Sequence, residues 1–187
     1  MLYYQGRGDL QTATQLGEQL LRLAQAQPDP APRLLAHYQL GTALFNRGEP
    51  AAAHTHHTQA LALYDPQAHR ALAVRYGIDL GVASGSYLAR ELWSLGFPEQ
   101  ALQHSQAART LAQEVAHPQS LAQALVYAAT VHQYRREVLA VHAQAAVAMT
   151  LATEQGFFAE RVAWATVLHG WALAMQGESA AGLAHLR

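Results

Sequence analysis

Histidine is the residue type in this chain with the widest potential for chemistry, and there are 11 histidines. His54 and His57 are three residues apart in a predicted helix, so their imidazoles share one face. Two imidazoles are too few for a zinc site, which typically takes three or four ligands, often including a thiolate or a carboxylate. Cysteine is absent and Glu49 is the only nearby acid. We therefore interpret this face as solvated, with His57 partly packed, and predict no metal and no cofactor.

Nucleophilic and phosphate-binding chemistry lack their usual sequence contexts. The Ser84-Gly85-Ser86 segment is not a nucleophile elbow backed by strands, and serine in such a place most often caps a helix. Gly77, Gly81 and Gly85 are spaced by four and follow no predicted strand, unlike the glycines of a phosphate cradle. Lysine is absent, which excludes a P-loop and a Schiff base. We predict that this region is not an enzyme.

The charge pattern limits the classes of partner that the chain is expected to bind. The formal net charge is -1 and the arginines are dispersed, with Arg135–Arg136 the only adjacent pair. Nucleic-acid binding needs a clustered basic face, so it is not expected. The first residues carry no apolar stretch behind a basic start, and the charge-free stretch 115–134 contains Pro118 and two histidines. We expect a cytoplasmic location and no membrane contact.

The elements that must position any site are predicted to be helices. Alanine, leucine and glutamine dominate, while the β-branched residues that favour strands are scarce. A turn followed by a helix start recurs at positions 8, 48, 96, 136 and 177, with spacings of 40, 48, 40 and 41 residues. A glycine fills all of these positions except Arg136, and glycine is favoured just past a helix end. Each position is predicted to be a tight junction between antiparallel helices.

The predicted organisation is a single helical-repeat domain over residues 1–187, with about four to five helix pairs. The predicted helices are 10–27, 33–47, 50–64, 83–95, 98–115, 119–136, 138–155, 158–176 and 178–187. Residues 67–75 are predicted to form a further short helical turn, and 76–82 an inter-repeat loop.

Small residues recur twelve positions apart across each predicted helix pair. The pairs are Gly41 and Ala53, Ala89 and Ala101, Ala129 and Val141, and Gly170 and Gly182. Small side chains at a crossing allow two helix backbones to approach closely. We predict that these pairs mark the helix crossings.

The pattern resembles the tetratricopeptide repeat (TPR) over essentially the whole chain. Leu40-Gly41-x-x-Leu44, Gly48, Ala53 and Ala60 carry the fullest match, and Leu88-Ala89-x-x-Leu92, Gly96, Ala101 and Ala108 nearly match it. The resemblance implies an all-α, right-handed α-solenoid of antiparallel helix pairs. The period near 40 departs from roughly 34 residues and would also suit HEAT-like repeats. The large aromatic usual on the second helix is His57, Ser105 or Ala145 here.

Four segments resemble the C-terminal helical repeats of bacterial multidomain signalling proteins, which carry adenylate/guanylate cyclase or kinase–AAA ATPase modules. They are 60–66, 69–82, 92–102 and 169–177, although Leu80 stands where proline is expected. The resemblance implies a sensory or regulatory role and carries over no catalytic activity. The ends read as a piece of a longer repeat array, so self-association through exposed solenoid ends is a further expectation.

The resemblance also implies that the first helix of each pair lines a concave groove for a protein or peptide. The groove candidates are Tyr38, Thr42, Phe45, Asn46, Arg90, Trp93, Gln133, Tyr134, Trp164 and Trp171. Aromatic residues and arginine dominate binding hot spots, but aromatics at helical spacing also pack as core. Tyr76 and Asp79 are the loop candidates, with the alternative that they bond to each other and close the enlarged repeat.

Three functions remain open from the sequence. The leading one is a non-catalytic interaction scaffold that regulates a larger signalling protein. The second is a metabolite sensor with an apolar pocket near Tyr76, Arg90 and Trp93. The third, a metal-dependent enzyme, depends only on the histidine cluster at 54–57.

Overall fold

A computed structural model describes residue 4 and residues 6–154 and 159–185, with the side chains of 159 and 160 outside the description. The helices of this part are α1 (Leu10–Gln25), α2 (Ala31–Asn46), α3 (Pro50–Leu63), α4 (Pro66–Tyr76), α5 (Leu80–Ser94), α6 (Pro98–Val115), α7 (Pro118–Tyr134), α8 (Val138–Glu154), α9 (Ala159–Met175) and α10 (Ser179–Ala184). The described residues contain no strand.

The helices form two layers of a solenoid. Helices α2, α5, α7 and α9 pack side by side as an inner layer, and each also packs against the outer helix that follows it: α3, α6, α8 and α10. Each outer helix from α3 to α8 also packs against the next inner helix. The predicted all-α solenoid of helix pairs is therefore confirmed.

The junctions repeat one backbone geometry. Gly48, Gly96 and Gly177 have φ of 82°, 88° and 92°, in the left-handed region that glycine adopts without steric cost. The next residue then donates its amide hydrogen to a carbonyl five residues back, as Glu49 does to Leu44 and Phe97 to Leu92. This bond closes a Schellman motif, which satisfies a free carbonyl at the helix end.

Arg136 takes the glycine's place at one junction. Its φ is 58°, and Glu137 donates its amide hydrogen to the carbonyl of His132 over 3.0 Å. The prediction that this position is a repeat junction without glycine is confirmed.

The predicted crossing at Gly170 and Gly182 is close-packed. A Cβ added at Gly170 would lie 2.8 Å from the carbonyl oxygen of Gly182, and one added at Gly182 would lie 2.6 Å from that of Gly170. A Cβ at Gly41 would instead lie 2.7 Å from the imidazole of His57. Backbone and ring thus occupy the space that these glycines leave.

The segment after α3 differs from the prediction. The predicted loop 76–82 is wrong in extent, because Tyr76 ends α4 and Leu80 begins α5, which leaves only Gly77–Asp79 between them. Asp79 causes the early start of α5, since its Oδ1 accepts the amide hydrogen of Val82 over 2.9 Å. Gly81 reads as a loop residue in the sequence, but it lies inside α5 where the Tyr64 ring fills the space of a Cβ.

Candidate functional site

An aromatic row crosses the inner layer, with one ring from each of its four helices. Its members are Tyr38 on α2, Tyr87 on α5, Tyr127 on α7 and Trp164 on α9. The centroids of successive rings are 6.3 Å, 5.2 Å and 5.2 Å apart. The first two contacts are edge-on, an arrangement that aromatic pairs favour, and the third pair of rings is tilted by 49°.

Arg90 is enclosed by ring faces beside this row. Its guanidinium carbon lies 4.8 Å from the ring centroid of Phe45, 4.9 Å from that of Tyr127, 5.0 Å from that of Trp164 and 5.7 Å from that of Tyr87. These distances are within the range of cation–π attraction. The positive charge of Arg90 is thus stabilised inside the fold by its own neighbours.

A buried polar pair packs against the central tyrosine of the aromatic row. Tyr87 stacks on the His57 ring at 5.1 Å, and His57 Nδ1 lies 2.6 Å from Glu91 Oε1, with both side chains fully buried. His57 comes from the outer helix α3 and Glu91 from the inner helix α5. The pair therefore fixes the position of the central tyrosine relative to the preceding repeat.

A cavity of about 690 Å³ opens beside the aromatic row. Its apolar and aromatic walls come from Leu35, Tyr38, Tyr76, Ile78, Leu80, Tyr87 and Tyr127. Its polar lining comes from Gln39, Thr42, Asn46, Gln119 and Arg161. The cavity thus combines a large aromatic surface with side-chain carboxamides and one cation.

Arg161 is the one charged side chain that lines the cavity within the described ranges, and no carboxylate there pairs with it. It acts on Tyr38 from a distance. Burial raises the pKa of the Tyr38 phenol, and so does Tyr127, whereas Arg161 lowers it by favouring the phenolate. The three side chains all line the same cavity.

Seven of the twelve predicted site residues gather here. Tyr38, Thr42, Asn46 and Tyr76 line the cavity, and Phe45, Arg90 and Trp164 form the cluster that borders it. The structure brings them together because α2, α5, α7 and α9 are neighbours in one layer.

Five predicted residues lie elsewhere. Trp93 and Tyr134 stack on each other at 5.5 Å, and Trp93 packs against the cluster of Leu88 and Leu92. Gln133 is half-buried beside them in α7 and does not line the cavity. Trp171 packs against the main core.

Asp79 is also outside the site, because its carboxylate is used by the fold. It is buried, its Oδ2 accepts a hydrogen bond from the Tyr64 hydroxyl over 2.8 Å, and its amide donates to Ser120 Oγ. The alternative of a bond between Tyr76 and Asp79 is replaced by this network.

Sequence reasoning missed several lining residues. Tyr87 and Tyr127 are 40 residues apart and each stands two positions before a small crossing residue, so the repeat spacing itself could have found them. No comparable sequence pattern marks Arg161, Gln39 and Gln119. A single polar residue on a helix does not indicate which cavity it faces.

Comparison of the structure with solved structures establishes the fold. It is similar to a Rap protein complexed with competence and sporulation factor, with a TM-score of 0.81 and 12% identity over 98% of this chain and 49% of that one. It is also similar to the apo form of RapI, with a TM-score of 0.75 and 12% identity over 98% of this chain and 64% of that one. The chain has a TPR-like solenoid fold.

A third similar structure is the putative kinesin light chain from Podosopora anserina with nearly identical TPR-like repeats. Its TM-score is 0.64 at 17% identity, over 98% of this chain and 87% of that one. The chain spans about half of the Rap structure and 64% of RapI. No protein-family model and no curated protein matches the sequence.

Two further findings concern membrane spans and metal-binding groups in the described ranges. No helix in them is long and apolar enough to cross a membrane. They also bring together no group of three or more histidine or acidic side chains able to hold a metal ion.

Proposed function

We propose that the chain is a non-catalytic interaction scaffold that binds an extended segment of a protein or peptide along its inner layer. The observation that carries this proposal is the cavity of about 690 Å³ beside the aromatic row. Within the described part of the chain, the side chains that line this cavity form no ion pair and no metal-binding group. They provide contact surface and hydrogen-bonding groups.

The polar lining fits a peptide main chain. Gln39, Asn46 and Gln119 each present an amide group that both donates and accepts hydrogen bonds. A peptide bond offers the matching pair of one donor and one acceptor. Tyr38, Tyr87 and Tyr127 supply rigid ring surfaces for the side chains of such a segment, as tyrosines do at interface hot spots.

The wider role that we propose is regulatory. The four segments that resemble repeats of bacterial cyclase and ATPase signalling proteins support it, and so does the similarity to a Rap protein complexed with competence and sporulation factor. A partner that binds one curvature of the solenoid better than another would shift its conformational equilibrium, which is how a repeat region can regulate an attached enzyme.

The proposal is tested by selecting binders from a phage-displayed library of random dodecapeptides. Asn46→Trp places a large ring in the cavity wall at an exposed position, so it should block binding without unfolding the chain. Gln106→Trp, at an exposed position on α6, is the matched control. Peptides that bind the wild type and Gln106→Trp but not Asn46→Trp are expected; no enrichment, or equal binding to all three proteins, would overturn the proposal.

The cavity volume supports a second candidate, a metabolite sensor. Small-molecule pockets commonly measure about 300–1,000 Å³, and this cavity lies within that range. A thermal-shift screen with a metabolite panel separates the candidates, because a compound that binds only the native state raises the melting temperature. A shift that Asn46→Trp abolishes, together with no peptide binding, would favour the sensor.

A further inference from the structure

We infer that the occupant of the cavity presents a carboxylate to Arg161, beside an apolar side chain that packs on Tyr38 and Tyr127. This inference deepens the proposed function, because it names the chemistry of the bound segment. It depends on a difference between Arg90 and Arg161, two of the three arginines on the inner helices α2, α5, α7 and α9.

The charge of Arg90 is stabilised by aromatic rings, although its buried Nε has no hydrogen-bond partner within the described ranges. Four aromatic rings surround its guanidinium within 5.7 Å, and the adjacent Glu91 is committed to His57. An incoming anion would have to displace ring contacts to reach it. Arg90 is therefore part of the cavity's framework and not its anion-binding group.

Arg161 has no such compensation. It is half-buried, lines the cavity, and has no carboxylate partner within the described ranges. Glu91 and Asp79, the buried acids of the described ranges, are both bonded to other groups. A partly desolvated cation without a counterion is unfavourable, so the binding of an anion at Arg161 is favourable.

The single free guanidinium favours a carboxylate over a phosphate. Phosphorylated segments are recognised by clusters of arginines, whereas one planar guanidinium matches the geometry of one carboxylate. The cavity has one such group within the described ranges, and the chain has no lysine to add a second kind of cation.

The place of the carboxylate within the cavity follows from its neighbours. Tyr38, Tyr127 and Arg161 all line the cavity. Arg161 also stands three residues before Trp164 on one face of α9, and the Trp164 ring centroid is 5.2 Å from that of Tyr127. A carboxylate at Arg161 would therefore have the Tyr38 and Tyr127 rings beside it. An apolar residue adjacent to the acidic one in a peptide would pack on those rings.

The test uses matched hexapeptides that each carry one acidic residue next to one apolar residue. Each Asp or Glu peptide is paired with its Asn or Gln counterpart, and both are made with an acetylated N-terminus and an amidated C-terminus. Unblocked versions of the neutral peptides show whether a terminal carboxylate serves as well. We expect the acidic member to bind about tenfold or more tightly, as the loss of a charge-assisted hydrogen bond implies.

Arg161→Gln should remove that preference while the neutral peptides keep their affinity. Arg109→Gln, on the outer helix α6, is the control that should leave the preference intact. Circular dichroism of each variant checks that the fold is unchanged. Equal binding of acidic and neutral peptides to the wild type, or a preference that survives Arg161→Gln, would overturn the inference and leave the scaffold proposal standing.

The same variants separate the sources of the carboxylate. If no hexapeptide binds, a panel of small mono- and dicarboxylic acids is tested by thermal shift. A shift that Arg161→Gln abolishes would support the carboxylate site and overturn the peptide proposal. No shift with any acid would overturn the carboxylate site, while the dodecapeptide selection decides the scaffold proposal.

Discussion

His57 Nδ1 and Glu91 Oε1 lie 2.6 Å apart in a site that is closed to solvent, and they join the outer helix of one repeat to the inner helix of the next. The imidazole also fills the space that Gly41 leaves open and stacks on Tyr87. The position where a TPR-like repeat usually places a large aromatic thus holds a ring that is also one half of a polar pair.

Breaking this pair is expected to be costly. His57→Leu leaves the Glu91 carboxylate buried without its partner, so we expect a loss of about 3–5 kcal/mol in the free energy of unfolding. Glu91→Met removes the other member, and the double variant should lose less than the sum of the two single losses. Urea denaturation of the four proteins measures the coupling. Additive losses would show that the two side chains do not depend on each other.

The glycines at the helix crossings are expected to tolerate no side chain. In Gly170→Ala the Cβ meets the Gly182 backbone, which cannot rotate away, so we expect a loss of about 2 kcal/mol or more. Gly85→Ala is the matched control inside α5. Its Cβ would lie 3.3 Å from that of Ala108, and a small shift is offset by the better helix propensity of alanine. Equal stability of the two variants in thermal denaturation would contradict this prediction.

A structural feature could be predicted from the sequence where it recurs in successive helical repeats. The junctions at Gly48, Gly96 and Arg136 recur with spacings of 48 and 40 residues between similar helix starts, so their geometry could be predicted even where glycine is missing. Tyr87 and Tyr127 share the same advantage.

Features that occur once could not be predicted in the same way. The His57–Glu91 pair joins residues 34 positions apart. The short break before Leu80 depends on bonds from Asp79 to Tyr64 and Ser120, which no local pattern contains. Arg161 becomes notable only when the cavity shows that it faces no acid.

In the part of the chain that the structure describes, two residues other than glycine adopt the left-handed conformation, which gives a direct test of the junction geometry. Arg136 and Ala116 have φ of 58° and 53°, and this conformation costs a residue with a Cβ roughly 1–2 kcal/mol. Arg136→Gly and Ala116→Gly should therefore each raise the unfolding free energy by about 1 kcal/mol, after the larger entropy loss of glycine is subtracted. Chemical denaturation would show a lower stability instead if these residues were not held at positive φ.

Phe45 and Trp93 are expected to differ in their effect on binding. Phe45 lies 4.8 Å from the Arg90 guanidinium and contacts Tyr87 edge-on, so Phe45→Ala should loosen the cavity wall and weaken binding of the selected peptides. Trp93 stacks on Tyr134 away from the cavity, so Trp93→Ala should change peptide affinity little. Fluorescence anisotropy with one selected peptide measures both. Stronger loss in Trp93→Ala would place the binding surface beyond the aromatic row.

Histidine rings from different helices also contact one another, and this arrangement affects the stability of the fold at acidic pH. His169 on α9 lies between His142 on α8 and His185 after α10, with ring centroids 4.6 Å and 5.0 Å apart. Burial lowers the pKa of His169 below its usual 6.5, and the two neighbouring imidazoles lower it further. No acidic group in the described ranges is bonded to this stack.

The His169 stack should therefore make the fold less stable as the pH falls. A histidine whose pKa is lower in the folded chain binds more protons when unfolded, so its contribution is constant above pH 6.5 and is lost as the pH falls below that value. Urea midpoints at pH 7.5, 6.5 and 5.5 measure this loss. His169→Gln carries no charge at any of these pH values, so its midpoint should fall less between pH 7.5 and 5.5 than that of the wild type. Parallel falls in the two proteins would assign the pH dependence to other groups.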